Sequence, residues 1–89
     1  MQATDKPRHS PAAAYEVVDE AAIIINTRTG SYYSLNDTGA RFWQLLDGRR
    51  TIADCARLIA GEYDAPADEI EADMMELALE FKMEELIEI

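Results

Sequence analysis

The sequence predicts an α+β fold: a three-stranded antiparallel sheet followed by three helices. Three observations carry this expectation. The β-branched and aromatic runs all precede residue 36. Three later segments repeat their apolar residues at helical spacing. A short glycine-containing link joins two of the β-runs, as in a hairpin.

Residues 1–13 (MQATDKPRHSPAA) contain two prolines and no apolar periodicity. They read as a flexible N-terminal tail, with residues 14–89 forming the domain. The first strand is expected over Ala14–Val18, and the second over Ala22–Asn26, where Ile23, Ile24 and Ile25 are consecutive. Thr27–Gly30 supplies a turn, with Gly30 suited to a positive φ. Ser31–Leu35 is the third strand. Its period of two puts Tyr33 and Leu35 on one face, Tyr32 and Ser34 on the other.

Asn36 is positioned to cap a first helix over Asp37–Leu46, with Phe42, Trp43 and Leu46 on one side and Gly48 as its stop. Thr51 caps a second helix over Ile52–Tyr63, where Ile52, Cys55, Ala56, Ile59, Ala60 and Tyr63 form the apolar face. Pro66 suits the first turn of a third helix over Pro66–Glu84. Leu86–Ile89 reads as a short extended end.

The third helix has two apolar stripes. At about 100° per residue, Ile70, Met74, Leu77, Ala78 and Phe81 form one, and Ala72, Met75, Leu79 and Met83 the other. Asp73, Glu76, Glu80 and Glu84 lie between them on one flank. A helix packed on a core from one side needs a single stripe. The second implies a further cover: this domain itself, another subunit or a ligand. Methionine adapts its shape and suits a binding groove.

Composition narrows the function classes. The chain has 89 residues, 48% of them apolar and 29% charged, which fits one small folded domain. No apolar run reaches the length of a membrane span. No signal pattern opens the sequence, so the cytoplasm is the expected compartment. The single cysteine, Cys55, fits a reducing environment. Residues 1–60 carry seven acids and seven bases, whereas residues 61–89 carry eleven acids and only Lys82 as a base. The net charge of −10 therefore resides in the C-terminal third. Such a surface repels nucleic-acid phosphates and anionic membranes, and leaves open a basic peptide or protein surface.

Residues for catalysis are not in evidence. His9 is the only histidine and reads as a solvated tail residue. Cys55 sits on an apolar helix face, where a structural thiol is expected rather than a nucleophile. Zinc spacings, a calcium loop and phosphate-binding glycine motifs are absent, so neither metal nor cofactor is expected. Asp68, Glu69, Glu71 and Asp73 read as a solvated helix start favoured by the helix dipole. The third strand has more to offer. As a sheet edge it would present unpaired backbone groups on which a peptide can add as a further strand. Tyr33 reads mainly as core, leaving Tyr32 as the aromatic side chain for ligand contact.

The run from Thr29 to Gly48, TGSYYSLNDTGARFWQLLDG, resembles the signature of the PqqD-like family, the peptide-recognition domains of pathways that make and modify ribosomal peptides. Ile59, Tyr63, Glu71-Ala72-Asp73 and Leu86-Ile87 extend the resemblance, which covers about residues 14–89. It implies a winged helix-turn-helix without catalytic activity. It also implies a groove between the third strand and third helix in which the leader of a precursor peptide binds as an added strand. Carried over, the leader-binding residues are Ser31, Tyr32, Tyr33, Ser34 and Leu35, with Asp73, Met74, Met75, Leu77, Ala78 and Phe81 on the helix. Which stripe faces the groove stays open. Asp73 occupies an acidic position typical of the family and would meet a basic or polar leader side chain. A free-standing domain with this pattern most resembles the lasso-peptide version. There the partners are a transglutaminase-like cysteine leader peptidase and a lasso cyclase. Glu85 departs from the pattern, standing where the family often has glycine, which implies a longer third helix.

Two rival readings remain. Winged helices commonly bind DNA, although the charge and the lone Arg57 of the second helix oppose that here. A regulatory or scaffolding adaptor would instead use the acidic C-terminal helix to hold a protein partner.

Overall fold

The computed structural model describes residues 1–89. Its elements are β1 (Arg8–His9), β2 (Ala13–Val18), β3 (Ala21–Asn26), β4 (Tyr32–Asn36), α1 (Asp37–Leu45), α2 (Ile52–Tyr63), α3 (Ala67–Met83) and β5 (Ile87–Glu88). Strands β2, β3 and β4 form an antiparallel sheet in that order. This is the α+β arrangement of three strands and three helices expected from sequence.

The register explains the burial. Tyr15, Ile24 and Tyr33 lie in one cross-strand row, and Val17, Ala22 and Leu35 in the next. Ala22, Ile24 and Asn26 are buried, so this face of β3 packs on the helices. Ile23 and Ile25 alternate with them and remain exposed on the outer face. Asn26 is a buried polar residue with three partners. Its amide nitrogen donates to the Glu84 carbonyl at 2.8 Å, and its side-chain oxygen accepts from the Arg28 and Thr29 backbone N–H groups. It therefore fastens the β3–β4 turn to the end of α3. Gly30 takes the expected positive φ, +79°.

The helix ends follow local chemistry, with corrections. Thr51 and Asp54 form a reciprocal capping box at the start of α2. Asn36 makes no side-chain cap; it is extended, and Asp37 turns the chain with φ +48° while its N–H donates to the Glu20 carbonyl. Gly48 does not stop α1, which ends at Leu45. Its positive φ serves the following turn, where its N–H donates to the Pro7 carbonyl and an added Cβ would lie 3.4 Å from the Arg8 Cβ. Pro66 precedes the first helical residue of α3 rather than occupying it.

The expected extension of α3 at Glu85 does not occur. The helix stops at Met83, and Glu85 takes the left-handed conformation, φ +58°. Leu86 N–H donates to the Phe81 carbonyl and Glu85 N–H to Lys82, the paired bonds of a Schellman motif. Burial of Leu86 beside Phe81 supplies its apolar contact.

The largest correction concerns residues 1–13. Instead of a free tail, they wrap the helical end of the domain. β1 pairs antiparallel with β5, and the carbonyls of Ala3 and Asp5 accept from the N–H groups of Ala53 and Ile52 at the start of α2. His9 stacks on Trp43 with ring centroids 3.9 Å apart, and its Nε2–H donates to the Trp43 carbonyl at 2.7 Å. The segment lacks periodicity because it is held by backbone bonds and single inserted side chains, which leave no sequence repeat.

Two stability tests follow from these contacts. Burial lowers the His9 pKa below its ordinary value, partly opposed by the bond to Trp43. The unfolded chain then binds the proton more readily, so His9 contributes stability above about pH 6.5 that is lost as pH falls through the folded value. Urea midpoints at pH 7.5 and 5.5 should show this loss, and His9→Phe should show a smaller one. Glu85→Gly should raise stability by roughly 0.5–1 kcal/mol by relieving the left-handed strain, measured by chemical denaturation.

Candidate functional site

Side chains of β4 reach α3, Tyr33 at Glu84 and Leu35 beside Leu77, and next to them an open cleft lies between the start of α1 and α3. β4 pairs with β3 alone, so its other edge is unoccupied. The bonds Asn26 N–H to Ser31 and Asp37 N–H to Glu20 set the phase of the ladder. In that phase the backbone groups of Tyr33 and Leu35 point to β3, whereas those of Tyr32 and Ser34 point outward. The unpaired donors and acceptors for an added strand are therefore on Tyr32 and Ser34.

The side chains divide in the opposite sense. Tyr33 and Leu35 lie on the helix side, half-buried against the core. Tyr32 is 72% exposed and lies on the outer face, across from Ile25. The expectation that its side chain enters the groove is thus corrected; the aromatic ring on that side belongs to Tyr33. Desolvation, and then the Glu84 and Glu80 carboxylates, push the Tyr33 phenol above the usual tyrosine value. Ser31 is exposed just ahead of β4.

On α3 the first stripe proves to be core. Ile70, Met74, Ala78 and Phe81 are buried, so Ala78 and Phe81 drop out as ligand contacts and Met74 reaches only the floor of the groove. They pack where the aromatic side chains converge: Phe81 lies 5.3 Å edge-on from Trp43 and 6.3 Å from Phe42. Leu77, at the border of that stripe, is half-buried and faces the groove. In the second stripe, Met75 packs on the core, but Leu79 is 48% and Met83 75% exposed, and neither lines the cleft. The groove wall is instead the acidic flank. Asp73, Glu76, Leu77 and Glu80 line an open cleft of about 340 Å³ with Thr38, Gly39 and Met74. Glu84 continues that flank past Tyr33. Sequence reasoning assigned only Asp73 of the acidic flank to the groove, and did not single out Glu76, Glu80, Thr38 or Gly39. The helical spacing of the acids was the available signal.

Elsewhere, Cys55 is buried beneath α1, and desolvation pushes its thiol to about 11, far from a reactive thiolate. No helix is long and apolar enough to cross a membrane.

An open strand edge beside a helix, on a sheet backed by three helices, is the architecture of RiPP recognition elements, the recognition domains of ribosomally synthesized and post-translationally modified peptide pathways. Residues 21–87 match the family described as Coenzyme PQQ synthesis protein D (PqqD), and the chain belongs to that family. Among solved structures it is similar to TbiB1 in complex with the TbiA(beta) leader peptide, with a TM-score of 0.82 and 25% identity over 91% of this chain and 94% of that one. It is also similar to lasso peptide synthetase B1 complexed with the leader peptide, with a TM-score of 0.81 and 26% identity over 94% and 99%. The PqqD truncation of Methylobacterium extorquens PqqCD shares the fold at 21% identity and a TM-score of 0.81, over 99% and 94%. No curated protein matches the chain.

Core and exposed positions on α3 should separate on mutation. Phe81→Ala should cost about 3–5 kcal/mol and bring the domain close to unfolding. Leu79→Glu should change stability by no more than about 0.5 kcal/mol. Urea denaturation followed by circular dichroism checks both.

Proposed function

We propose that this domain binds the leader segment of a ribosomally made precursor peptide as an added strand on β4 and delivers it to a separate leader peptidase. The observation that carries this reading is the free edge of Tyr32 and Ser34, set opposite a helix flank that does not cover it. Main-chain bonds to that edge supply affinity, and side chains entering the groove supply selectivity. Solved complexes of two similar proteins with leader peptides support it. The domain acts without catalysis. It raises the effective concentration of substrate at the enzyme that cleaves it.

The similarity to lasso peptide synthetase B1 supports a role in lasso-peptide maturation. The partners are then a transglutaminase-like cysteine peptidase and, after leader removal, a lasso cyclase, acting in the cytoplasm. Ser31, Tyr32, Tyr33, Ser34 and Leu35 form the strand side of the site, and Asp73, Leu77 and Met74 the helix side. Met75 supports α3 from the core. DNA is disfavoured, because the net charge is −10 and α2 offers only Arg57 as a cation.

Calorimetric titration with the leader of a short precursor encoded beside this gene tests the proposal. Binding should survive removal of the product-forming core of the precursor. Ser34→Pro, which removes an outward N–H, should weaken it at least about tenfold with the circular dichroism spectrum unchanged. Undiminished affinity in the folded variant would rule out strand addition at this edge.

A further inference from the structure

We propose that two copies of this chain pair through β2, joining their three-stranded sheets into one continuous antiparallel sheet with a free β4 edge at each end. The pairing uses the opposite edge of the sheet from the leader strand and does not depend on leader binding.

β2 is the second open edge of the sheet, since it pairs with β3 alone. The ladder phase that turns the backbone of Ile24 toward β4 turns that of Ile23 and Ile25 toward β2, and the Thr27 N–H donates to the Ala12 carbonyl in the same phase. Ala14, Glu16 and Val18 therefore bond to β3. The backbone groups of Tyr15 and Val17 point outward, and neither residue makes a backbone bond outside the sheet. Native sheets blunt such an edge with lysine, proline or a bulge. β2 has none of these. Its sequence AAYEVV runs in unbroken register with β3, and most of its residues are exposed.

The edge is complementary to itself. In a two-fold pair the strand meets its own copy antiparallel. The outward groups allow two long registers. One pairs Ala14–Val18 with itself, centres on Glu16 and sets two carboxylates directly opposite, which is unfavourable. The other pairs Ala13–Val17 with itself and centres on Tyr15. Glu16 then lies opposite Ala14 of the second copy, Val17 lies opposite Ala13, and the two Tyr15 rings meet on the helix side. Tyr15 is 50% exposed, and its ring is held by His9 at 4.8 Å and Trp43 at 5.4 Å. A ring and a strand that are already ordered lose little freedom on pairing, whereas a free peptide at this edge must first be ordered.

Charge and apolar surface agree with a second copy as occupant. Residues 1–60, which include β2, carry seven acids and seven bases, so the pairing strands belong to the neutral part of the chain. The only charge on β2 itself is Glu16. On the outer face Ala14, Ile23 and Ile25, with Tyr15 and Glu16, line an apolar hollow of about 250 Å³ along the edge. Two-fold pairing about Tyr15 places Ala14 and the stem of Glu16 from each copy beside the hollow of the other.

Sedimentation equilibrium of the wild-type chain, from micromolar to near-millimolar concentration, should show a monomer–dimer equilibrium. Ala14→Glu puts like charges opposite at both symmetric positions and should raise the dimer dissociation constant roughly 3- to 10-fold. Ala14→Lys puts opposite charges there and should leave the constant unchanged or lower it. Ser34→Pro, on the far edge, should leave the dimer intact. In the wild type, hydrogen exchange of the Tyr15 and Val17 amides should slow as protein concentration rises. A monomer throughout the range would overturn the proposal. So would equal weakening by the two Ala14 substitutions, exchange at Tyr15 indifferent to concentration, or loss of the dimer in folded Ser34→Pro. None of these outcomes bears on leader binding, which the calorimetric titration tests separately.

Discussion

Trp43 is the contact on which the rest of the domain converges. It is fully buried, and four separate parts of the chain meet around it. α1 supplies Trp43 with Phe42 beside it, and α3 supplies Phe81 edge-on. β2 supplies Tyr15 at 5.4 Å, and the N-terminal segment stacks His9 across the indole face. Offset and edge-to-face rings add directional energy to area burial. The cluster therefore fixes how α3 is rotated about its axis as well as where it lies.

That rotation creates the groove. Once Phe81, Ala78, Met74 and Ile70 are committed to the core, the helical repeat places Asp73, Glu76 and Glu80 on the side toward β4. Leu77 stands at the border and gives the wall its apolar part. Asn26 secures the other end by bonding the α3 carbonyl of Glu84 to the hairpin that carries β4. The distance between strand edge and helix is thus held at both ends by groups that do not line the cleft themselves. The Schellman turn at Glu85 and Leu86 then reverses the chain into β5, which receives β1.

The charge distribution follows from the same geometry. Acids gathered on one flank repel one another, which costs a small domain some stability. They are tolerated because they are solvated along an open groove. The basic side chains are mostly engaged in exposed pairs elsewhere, each contributing little. The domain consequently presents a rigid apolar centre and one negative face beside a free strand edge.

Much of this was written in local sequence. The consecutive β-branched residues of Ala22–Asn26 and the alternating SYYSL run determined strands and hairpin. The 3.6-residue repeat and the Thr51–Asp54 box determined α2 to its ends. The TGSYYSLNDTGARFW run pointed to the family. These features are decided between neighbours, so a sequence displays them. Three others were not legible. The N-terminal segment carries no repeat, because backbone bonds and one stacked imidazole hold it in place. Glu85 adopts a conformation that its residue type disfavours, at the turn that buries Leu86 and closes the two backbone bonds ending α3. The assignment of the α3 faces was symmetric in sequence, with two apolar stripes of similar size. Only the packing of Phe81 against Trp43 broke that symmetry, and with it decided that carboxylates rather than methionines wall the groove.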